Sequence, residues 1–455
     1  MTRIARATTS VRAVGSQLWL VLFSLLGPTG GYPEQESTAA VVRWVRRQAK
    51  PLATVEPGQG FDDLKALENV VRRARVVSFG EASHGAHEIL AFRNRLFEYL
   101  VESLGFTAIA VETDFAGAFA VDEYVLGGGT ASPDLITAVF SFDDRALSEN
   151  RQLIEWMRSY NARPSTARQV RFYGLDMMGR ARQGAGFPYA RQAIDAALAY
   201  VALVAPAQAQ QFRERLEPWL ARARNGAYDG MTAEDRDALT AGISDLVSLF
   251  QRRHVEWVRR TSAPAYHRAF RYAVNARHLD ADFRAGGWWS TWRDPDQRDY
   301  AMAENLRWIL DQEGPRGRVL VFAHNVHVKK GPRLDAGEYQ FTSMGEHLRA
   351  MLGDEMIVIG SIAHGGEVGM GRDAGEAGTS DTTSVNDLLA RVGMPLFAFD
   401  LRALPRTTAV EEWWKQRRRI YESGTGTLRY REVSPAESFD ALVFVQKLHR
   451  AQVLR

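Results

Sequence analysis

The stretch that decides the fold is "ARVVSFGEASHGAHEILAFRNRLFEYLVESLGFTAIAVET", residues 74–113. It opens with an apolar, β-branched run at 74–80 and closes with a second apolar run at 106–113. Between them, residues 86–105 repeat apolar side chains at spacings of three and four and end in Gly105, which is typical of a helix with a glycine C-cap. The order strand, helix, strand predicts a βαβ unit, whose crossover makes the two strands parallel.

Further apolar runs predict more strands of the same sheet. Because these runs are almost continuous, the strands are expected to be covered on both faces. They lie at 170–176, 318–325, 356–362, 396–401 and 441–446. The sequence therefore predicts an α/β fold with a largely parallel central sheet flanked by helices. The Gly-rich polar segment 365–384 predicts a mobile loop near the site.

The region between the third and fourth strands has helical periodicity and is rich in Ala, Leu and Arg. We interpret it as an inserted helical lobe over the carboxyl ends of the strands. The predicted organisation has four parts, in chain order. These are a signal-like or wrongly started N-terminal segment at 1–36, the first part of the catalytic core at 37–180, the helical lobe at 181–290 and the second part of the core at 291–455.

The N-terminal segment contains the apolar run "LWLVLFSLLG" at 18–27, preceded by three arginines. Such a run is too short for the ~20 apolar residues of a membrane-spanning helix, but it suits the core of a signal peptide. We expect a cytoplasmic protein, or an exported one if this run is a genuine signal peptide. In neither case do we expect the mature protein to insert stably into a membrane.

The composition excludes several kinds of chemistry. The chain has no Cys, which rules out disulfides, thiolate nucleophiles and Cys-ligated zinc. Its 57 basic and 54 acidic residues are interleaved and leave a formal charge of only +3, so no nucleic acid partner is expected.

Ionisable side chains follow the predicted strands, at the points where the strands end. In a parallel sheet these carboxyl ends meet at one edge, where ligands bind. For several apolar strands to end in this way by chance, each would need a separate local explanation. The residues delivered to this edge are Glu81 and His84, Glu112 and Asp114, Asp176, His324, Asn325 and His327, and His364.

Five segments together resemble the erythromycin esterase family, whose enzymes open the macrolactone ring of macrolide antibiotics by hydrolysis. They are "GEASHG" at 80–85, "FRNRLFEYLVESLGFTAIAVETDF" at 92–115, "YGLD" at 173–176, "RDYAMAENLRWIL" at 298–310 and "VLVFAHNVHV" at 319–328. The likeness runs in order from about residue 38 to the C-terminal strands. It implies functional roles for six residues, all present here: Glu81, His84, Arg93, Glu112, His324 and His327.

Ester hydrolysis needs an activated water, a stabiliser for the oxyanion and a proton donor for the leaving alkoxide. With the resemblance, His84 is the expected general base, since an imidazole with a pKa near 6.5 is half available at neutral pH. One of the two glutamates would orient it. The charge of Arg93 would hold a carboxylate or the oxyanion. His324, ranked ahead of His327, would offer the leaving-group proton or an oxyanion contact.

Five further residues are predicted to bind substrate. They are Asp176, Arg298, Asn325, Trp288 and Trp289. The two tryptophans belong to a Trp-rich stretch that would line an apolar pocket for a bulky polyketide ring. The expected partner is thus a small molecule, a macrolide, and no cofactor is expected.

Four alternatives remain at this stage. The imidazoles and carboxylates are also zinc ligands, but HNVH is not the helical HExxH arrangement, and an arginine within the cluster would repel a cation. Ser83 could be a nucleophile, although its surroundings lack the G-x-S-x-G spacing. The same site could hydrolyse another ester or lactone of secondary metabolism. Finally, the chain could be a non-catalytic binding or biosynthesis-accessory protein, against which the intact set of six residues argues.

Overall fold

A computed structural model describes most of the chain from residue 34 onward. The described residues are 34–129, 139, 147–177, 186–222, 228, 230–285, 295–331, 334–336, 339–368, 375–378, 381–423 and 429–454. The apolar run 18–27 and the predicted substrate-binding residues Trp288 and Trp289 lie outside them.

The helices of the described residues flank one large sheet. In chain order they are α1 Glu34–Gln48, α2 Lys65–Val71, α3 His87–Leu104, α4 Ala118–Val125, α5 Ser148–Asn161, α6 Gly186–Val204, α7 Pro206–Arg222, α8 Ala233–Arg260, α9 Ala263–Arg284, α10 Pro295–Glu313, α11 Asn325–Val328, α12 Met344–Leu352, α13 Val385–Ala390, α14 Ala409–Lys415 and α15 Pro435–Ser438. Within the described ranges, no helix is long and apolar enough to span a bilayer.

The strands are β1 Lys50–Pro51, β2 Val76–Glu81, β3 Ala108–Asp114, β4 Arg171–Asp176, β5 Val319–His324, β6 Leu334–Ala336, β7 Tyr339–Phe341, β8 Met356–Val368, β9 Gly375–Gly378, β10 Leu396–Asp400, β11 Arg418–Glu422, β12 Arg429–Val433 and β13 Ala441–Leu448. The main sheet has the order β1-β10-β13-β8-β2-β5-β3-β4, with β9 added to β8. The strands from β13 to β4 in this order are parallel to their neighbours. The predicted α/β fold with a largely parallel, helix-flanked sheet is therefore confirmed.

The edge formed by β10 and β1 departs from this parallel pattern. Strand β10 is antiparallel to both of its neighbours. Two ranges of the predicted mobile loop, 365–368 and 375–378, also pair as antiparallel strand. That part of the prediction was wrong, because a glycine-rich composition reports conformational freedom but not a pairing partner.

The βαβ unit forms as its pattern predicts. Helix α3 ends at Gly105, whose φ of 71° is left-handed and whose backbone N–H returns to the preceding turn. At the end of β2, Gly80 lies against α11, and a Cβ atom at this position would be 2.2 Å from Asn325 Oδ1. Only glycine therefore allows the segment after β5 to pack directly over the end of β2.

Apolar side chains cover both faces of the sheet. One cluster joins one face to α2, α3, α4 and α5, and it includes Phe79 and Phe92. A second cluster joins the other face to α1, α10, α12, α13 and α14. The helices α6 to α9 pack around a third cluster of their own, with Phe250 and Trp257 fully buried. These helices lie within the range predicted to be a helical lobe, while the predicted division into domains stays a prediction.

Candidate active site

The site is built where β2, β5 and β3 end side by side. These strands are neighbours in the sheet, and Glu81 and His324 are their last paired residues, opposite each other on β2 and β5. Glu112 lies near the end of β3, on the other side of β5. The sheet thus places at one edge the groups that the sequence separates by more than 200 positions, which explains why strands buried on both faces end in charged residues.

Glu81 and His84 form the first functional pair. Nδ1 of His84 is hydrogen-bonded to the Glu81 carboxylate, and both side chains are buried. Burial lowers the pKa of His84, but the attraction and hydrogen bond of Glu81 outweigh it, with a smaller contribution from Glu112, so that this pKa is raised above 6.5. A carboxylate at Nδ1 keeps that nitrogen protonated and makes Nε2 the basic nitrogen of the neutral ring.

Glu112 is the acceptor that connects the other groups. Its Oε2 accepts the backbone N–H of His324 at 2.9 Å, and its Oε1 accepts Nη2 of Arg298 at 2.8 Å. Burial raises the pKa of Glu112, but the charges of His327, Arg298 and His84 outweigh it and hold the pKa well below its ordinary value. Glu112 is therefore an ionised carboxylate at any physiological pH, and it orients groups rather than transferring protons.

Arg298 and Asp176 lie in a buried ion network behind Glu112. Nη2 of Arg298 donates to Asp176 at 2.6 Å, and Nη1 is 3.1 Å from Nε2 of His327. Nδ1 of His327 is in turn 2.9 Å from the Asp299 carboxylate, which also accepts the backbone N–H of Met344 at 2.7 Å. The predicted roles of Asp176 and Arg298 in substrate binding stay predictions. In the structure these side chains fix each other, and with His327 they support Glu112.

The ring of His324 faces that of His84, with 5.1 Å between their centroids. Nδ1 of His324 accepts the backbone N–H of Val326 at 3.3 Å, so the proton of the neutral ring is on Nε2. Among the described residues this buried Nε2 has no hydrogen-bond partner. Burial and the nearby charges of His84 and Arg431 place the pKa of His324 well below 6.5. His324 is thus a neutral imidazole with an unpaired N–H donor.

Arg93 reaches the same place from α3. Its guanidinium is held by Oδ1 of Asn94, at 3.0 Å from Nε and 2.8 Å from Nη2, and it lies over the ring of Phe322. Burial lowers its pKa to about 10, so the group keeps its positive charge. Arg93 lines a recess of about 40 Å³ together with Glu81, His84 and Glu112. Arg93 lies in the second turn of α3, and its long side chain points back to the strand ends.

Asn325 ties the end of β5 to β8. Its Nδ2 donates to the backbone carbonyl of Ser361 at 2.8 Å, and its Oδ1 accepts the Ser361 N–H at 3.3 Å. Its predicted contact with substrate stays a prediction.

The loop that carries His84 is held by two distant segments. The backbone N–H of His84 donates to Ser423, at the end of β11, at 3.2 Å. On the other side the C-terminal tail is attached, with Ala451 donating to Gly85 and His87 donating to His449, both at 2.8 Å. The loop therefore has little freedom to move His84.

In the part of the chain that the structure describes, no three His, Asp or Glu side chains are arranged to hold a metal ion. Arg298 lies between Glu112 and Asp176, where its positive charge would repel a cation. Metal independence itself stays a prediction.

Asn150 is a residue of the site that the sequence did not indicate. It lies in the first turn of α5 and lines the recess beside Arg93. In the sequence it belongs to "SENRQ", which has the composition of an ordinary solvated helix start, so no local signal distinguished it.

Comparison with known proteins agrees with these observations. The model of the erythromycin esterase family matches residues 101–448. The Escherichia coli protein named erythromycin esterase type II is 24% identical over 337 residues, which cover 71% of this chain and 77% of that protein.

Two solved structures share the fold. A Bacillus cereus protein has a TM-score of 0.77 at 24% identity, covering 92% of this chain and 99% of its own. An erythromycin esterase variant, EreC, in its open conformation has a TM-score of 0.68 at 17% identity, covering 89% of this chain and 98% of its own. Because the family model matches most of the chain, the chain belongs to the erythromycin esterase family of hydrolases.

Proposed function

We propose that this hydrolase opens a macrolide lactone by general-base activation of water on His84. The observation that carries the proposal is the buried Glu81–His84 pair beside the ring of His324, whose Nε2 has no partner among the described residues. This arrangement supplies a base and an oxyanion donor within reach of one carbonyl group. A macrolide as the substrate is supported by the name of the related E. coli protein, erythromycin esterase type II.

The reaction follows from the protonation states. Nε2 of His84 takes a proton from water as the water oxygen bonds to the ester carbonyl carbon, and the negative charge moves to the carbonyl oxygen. Glu81 stabilises the imidazolium that forms. The neutral His324 donates its Nε2–H to the oxyanion, because a ring with so low a pKa is not a source of protons at neutral pH. When the C–O bond to the alkoxide breaks, His84 returns its proton to the leaving oxygen.

The site's size decides where the substrate lies. The recess of about 40 Å³ has room for a few water molecules at most, whereas ligand pockets for drug-sized molecules occupy roughly 300–1,000 Å³. The macrolide ring is therefore expected outside the recess, over His84, with only the reacting groups approaching it.

The test is to incubate the purified protein with macrolides of different ring size and follow the mass gain of one water. We expect ring opening by the wild type and a loss of at least about 100-fold in His84→Ala, which removes the proposed base. The absence of a mass shift with every macrolide would reject this substrate. A panel of other lactones and simple esters, measured in parallel, would then detect a different ester substrate.

Metal dependence is tested in the same assay. We expect activity to persist after dialysis against a strong chelator, because among the described residues no three His, Asp or Glu side chains are arranged to hold a metal ion, and the charge of Arg298 beside Glu112 would repel one. Activity that disappears with the chelator and returns with zinc would overturn the metal-independent mechanism.

A further inference from the structure

The recess behind His84 has a polar wall that the proposed reaction does not yet use. Glu81, His84, Arg93 and Glu112 line it, and so does Asn150 from α5. One buried water needs a cavity of only about 10–15 Å³, so the recess volume of about 40 Å³ is sufficient for one to three. A recess of this size, with polar groups on one wall and the proposed base at its border, is suited to water and too small for an ester substrate.

Among the residues that line the recess, Asn150 has a buried side-chain oxygen that needs a hydrogen-bond donor. Its side chain is only 3% exposed, and its Oδ1 has no hydrogen-bond partner among the described residues. Burying such an oxygen without a partner is unfavourable, so an acceptor of this kind in a recess that can hold water is expected to bind one. The same water can be held by Arg93 as donor, which gives it the two or more polar partners that buried waters have.

The helix turn that carries Asn150 is fixed relative to the catalytic residues. The neighbouring Glu149 accepts Nδ1 of His87 at 2.7 Å, and its backbone carbonyl accepts Nδ2 of Asn94 at 2.7 Å. Asn94 is the residue that holds the guanidinium of Arg93. Asn150, the His84 loop and Arg93 are therefore connected by short hydrogen bonds, and a water bound between them would be held in one place.

We propose that this recess stores the nucleophilic water and that Asn150 positions it. The inference rests on the proposed function, because it adds a residue to that reaction. The water would lie beside the His84 ring at the mouth of the recess, and the ester carbonyl would approach the same water from the open side. Asn150 accepts the hydrogen that stays on the water oxygen, and the other hydrogen passes to His84 as the C–O bond forms. The atoms balance as in any ester hydrolysis, with one water consumed.

Two substitutions at Asn150 separate this role from simple packing. Asn150→Leu has nearly the same size, but it replaces the amide by an apolar group in the water site. Asn150→Ala enlarges the recess, so that a second water can take the place of the amide. We expect kcat to fall about 10- to 100-fold in Asn150→Leu with KM changed less than about twofold, and to fall only a fewfold in Asn150→Ala. A packing role predicts the reverse order, because the alanine leaves the larger cavity.

Two further variants complete the comparison. Val111→Leu adds a methylene to the apolar wall of the recess without touching a polar group, and it should lower kcat as Asn150→Leu does. Val111→Leu also tests the inference if Asn150→Leu does not fold. Gln152→Leu, at an exposed position of the same helix, is the matched control and should leave kcat unchanged. Thermal denaturation of each variant shows that the protein is folded.

A crystal structure of the wild type gives a readout that does not depend on activity. We expect an ordered water within hydrogen-bond distance of Asn150 Oδ1, and its loss in Asn150→Leu. A recess without water at Asn150, or an Asn150→Leu variant as active as Asn150→Ala, would overturn the inference. Failure of the proposed function looks different, since the wild type would then hydrolyse no ester at all while the water at Asn150 is still observed.

Discussion

Glu81 accepts the hydrogen bond of Nδ1 of His84, three residues further along the chain, at the point where β2 ends. This pairing sets both the tautomer and the pKa of the proposed base. The other charged or titratable groups that influence the His84 ring are Glu112, Arg298 and His324, and of these Glu112 adds to the rise in pKa while Arg298 opposes it. Glu81 is the group whose removal changes the balance most.

We therefore expect Glu81→Gln to change the pH dependence of hydrolysis. Burial already disfavours the imidazolium, and without the carboxylate the pKa of His84 should fall below its ordinary value near 6.5. The acidic limb of kcat/KM, which we expect above pH 6.5 in the wild type, should move to lower pH, and the maximal rate should fall because the imidazolium loses its stabilising partner. The pH profile of kcat/KM between about pH 5 and 9 measures this. An unmoved acidic limb would show that His84 is not the titrating base.

The sequence predicts which residues form this site better than it predicts their hydrogen-bond and ion-pair partners. The strand ends could be assigned because continuous apolar runs stop abruptly at Glu81, Glu112 and His324. A parallel sheet then brings these ends together at one edge. The antiparallel pairing of β10 could not be assigned, since "LFAFDL" has the same apolar pattern as its parallel neighbours. Periodicity reports burial on two faces, but not strand direction.

The roles of individual polar residues also could not be predicted from the sequence. Arg298 and Asp176 have the composition of a substrate-binding pair, yet only the packing of α10 against β4 shows that they bind each other. Asn150 had no signal at all, because its role depends on a recess that five separate elements enclose, namely β2, α3, β3, α5 and β5. Such contacts are set by tertiary packing rather than by local spacing.

His324 is expected to act as a hydrogen-bond donor and not as an acid. His324→Leu removes the Nε2–H and should lower kcat by about 10²- to 10³-fold with a small change in KM, the size of effect seen when an oxyanion donor is removed. His324→Gln can present an amide N–H and should retain part of the activity. Because the wild-type ring is already neutral, the basic limb of the pH profile should be unchanged in the glutamine variant. A basic limb that disappears would instead identify His324 as the general acid.

Gly80 should tolerate no side chain. A Cβ atom there would be 2.2 Å from Asn325 Oδ1 and 2.7 Å from a methyl group of Val328. Gly80→Ala must therefore displace α11, and we expect a loss of about 1–3 kcal/mol in the free energy of unfolding, measured by urea denaturation. Gly60→Ala is the control, because a Cβ atom there meets nothing within 4 Å, and its effect should stay within about 0.5 kcal/mol. Equal stability of the two variants would contradict the close approach.

His87 should stabilise the fold in a way that fades at high pH. Its Nδ1 is 2.7 Å from Glu149 and its Nε2 is 2.9 Å from Glu56, and these partners raise its pKa to about 9 against the opposing effect of burial. A raised pKa in the folded state means that stabilisation is fully present below the unfolded value near 6.5 and is lost as the pH rises through about 9.

The difference in Tm between the wild type and His87→Gln should accordingly be largest near pH 6 and should shrink steadily up to about pH 10. His449→Gln is the matched control, because that histidine pairs with Glu88 at 57% exposure, where a surface ion pair contributes about 0–1 kcal/mol. A Tm difference for His87→Gln that is constant across this pH range would mean that His87 acts through packing alone. Since Glu149 also anchors the turn bearing Asn150, the same variant should lower kcat in parallel with its loss of stability.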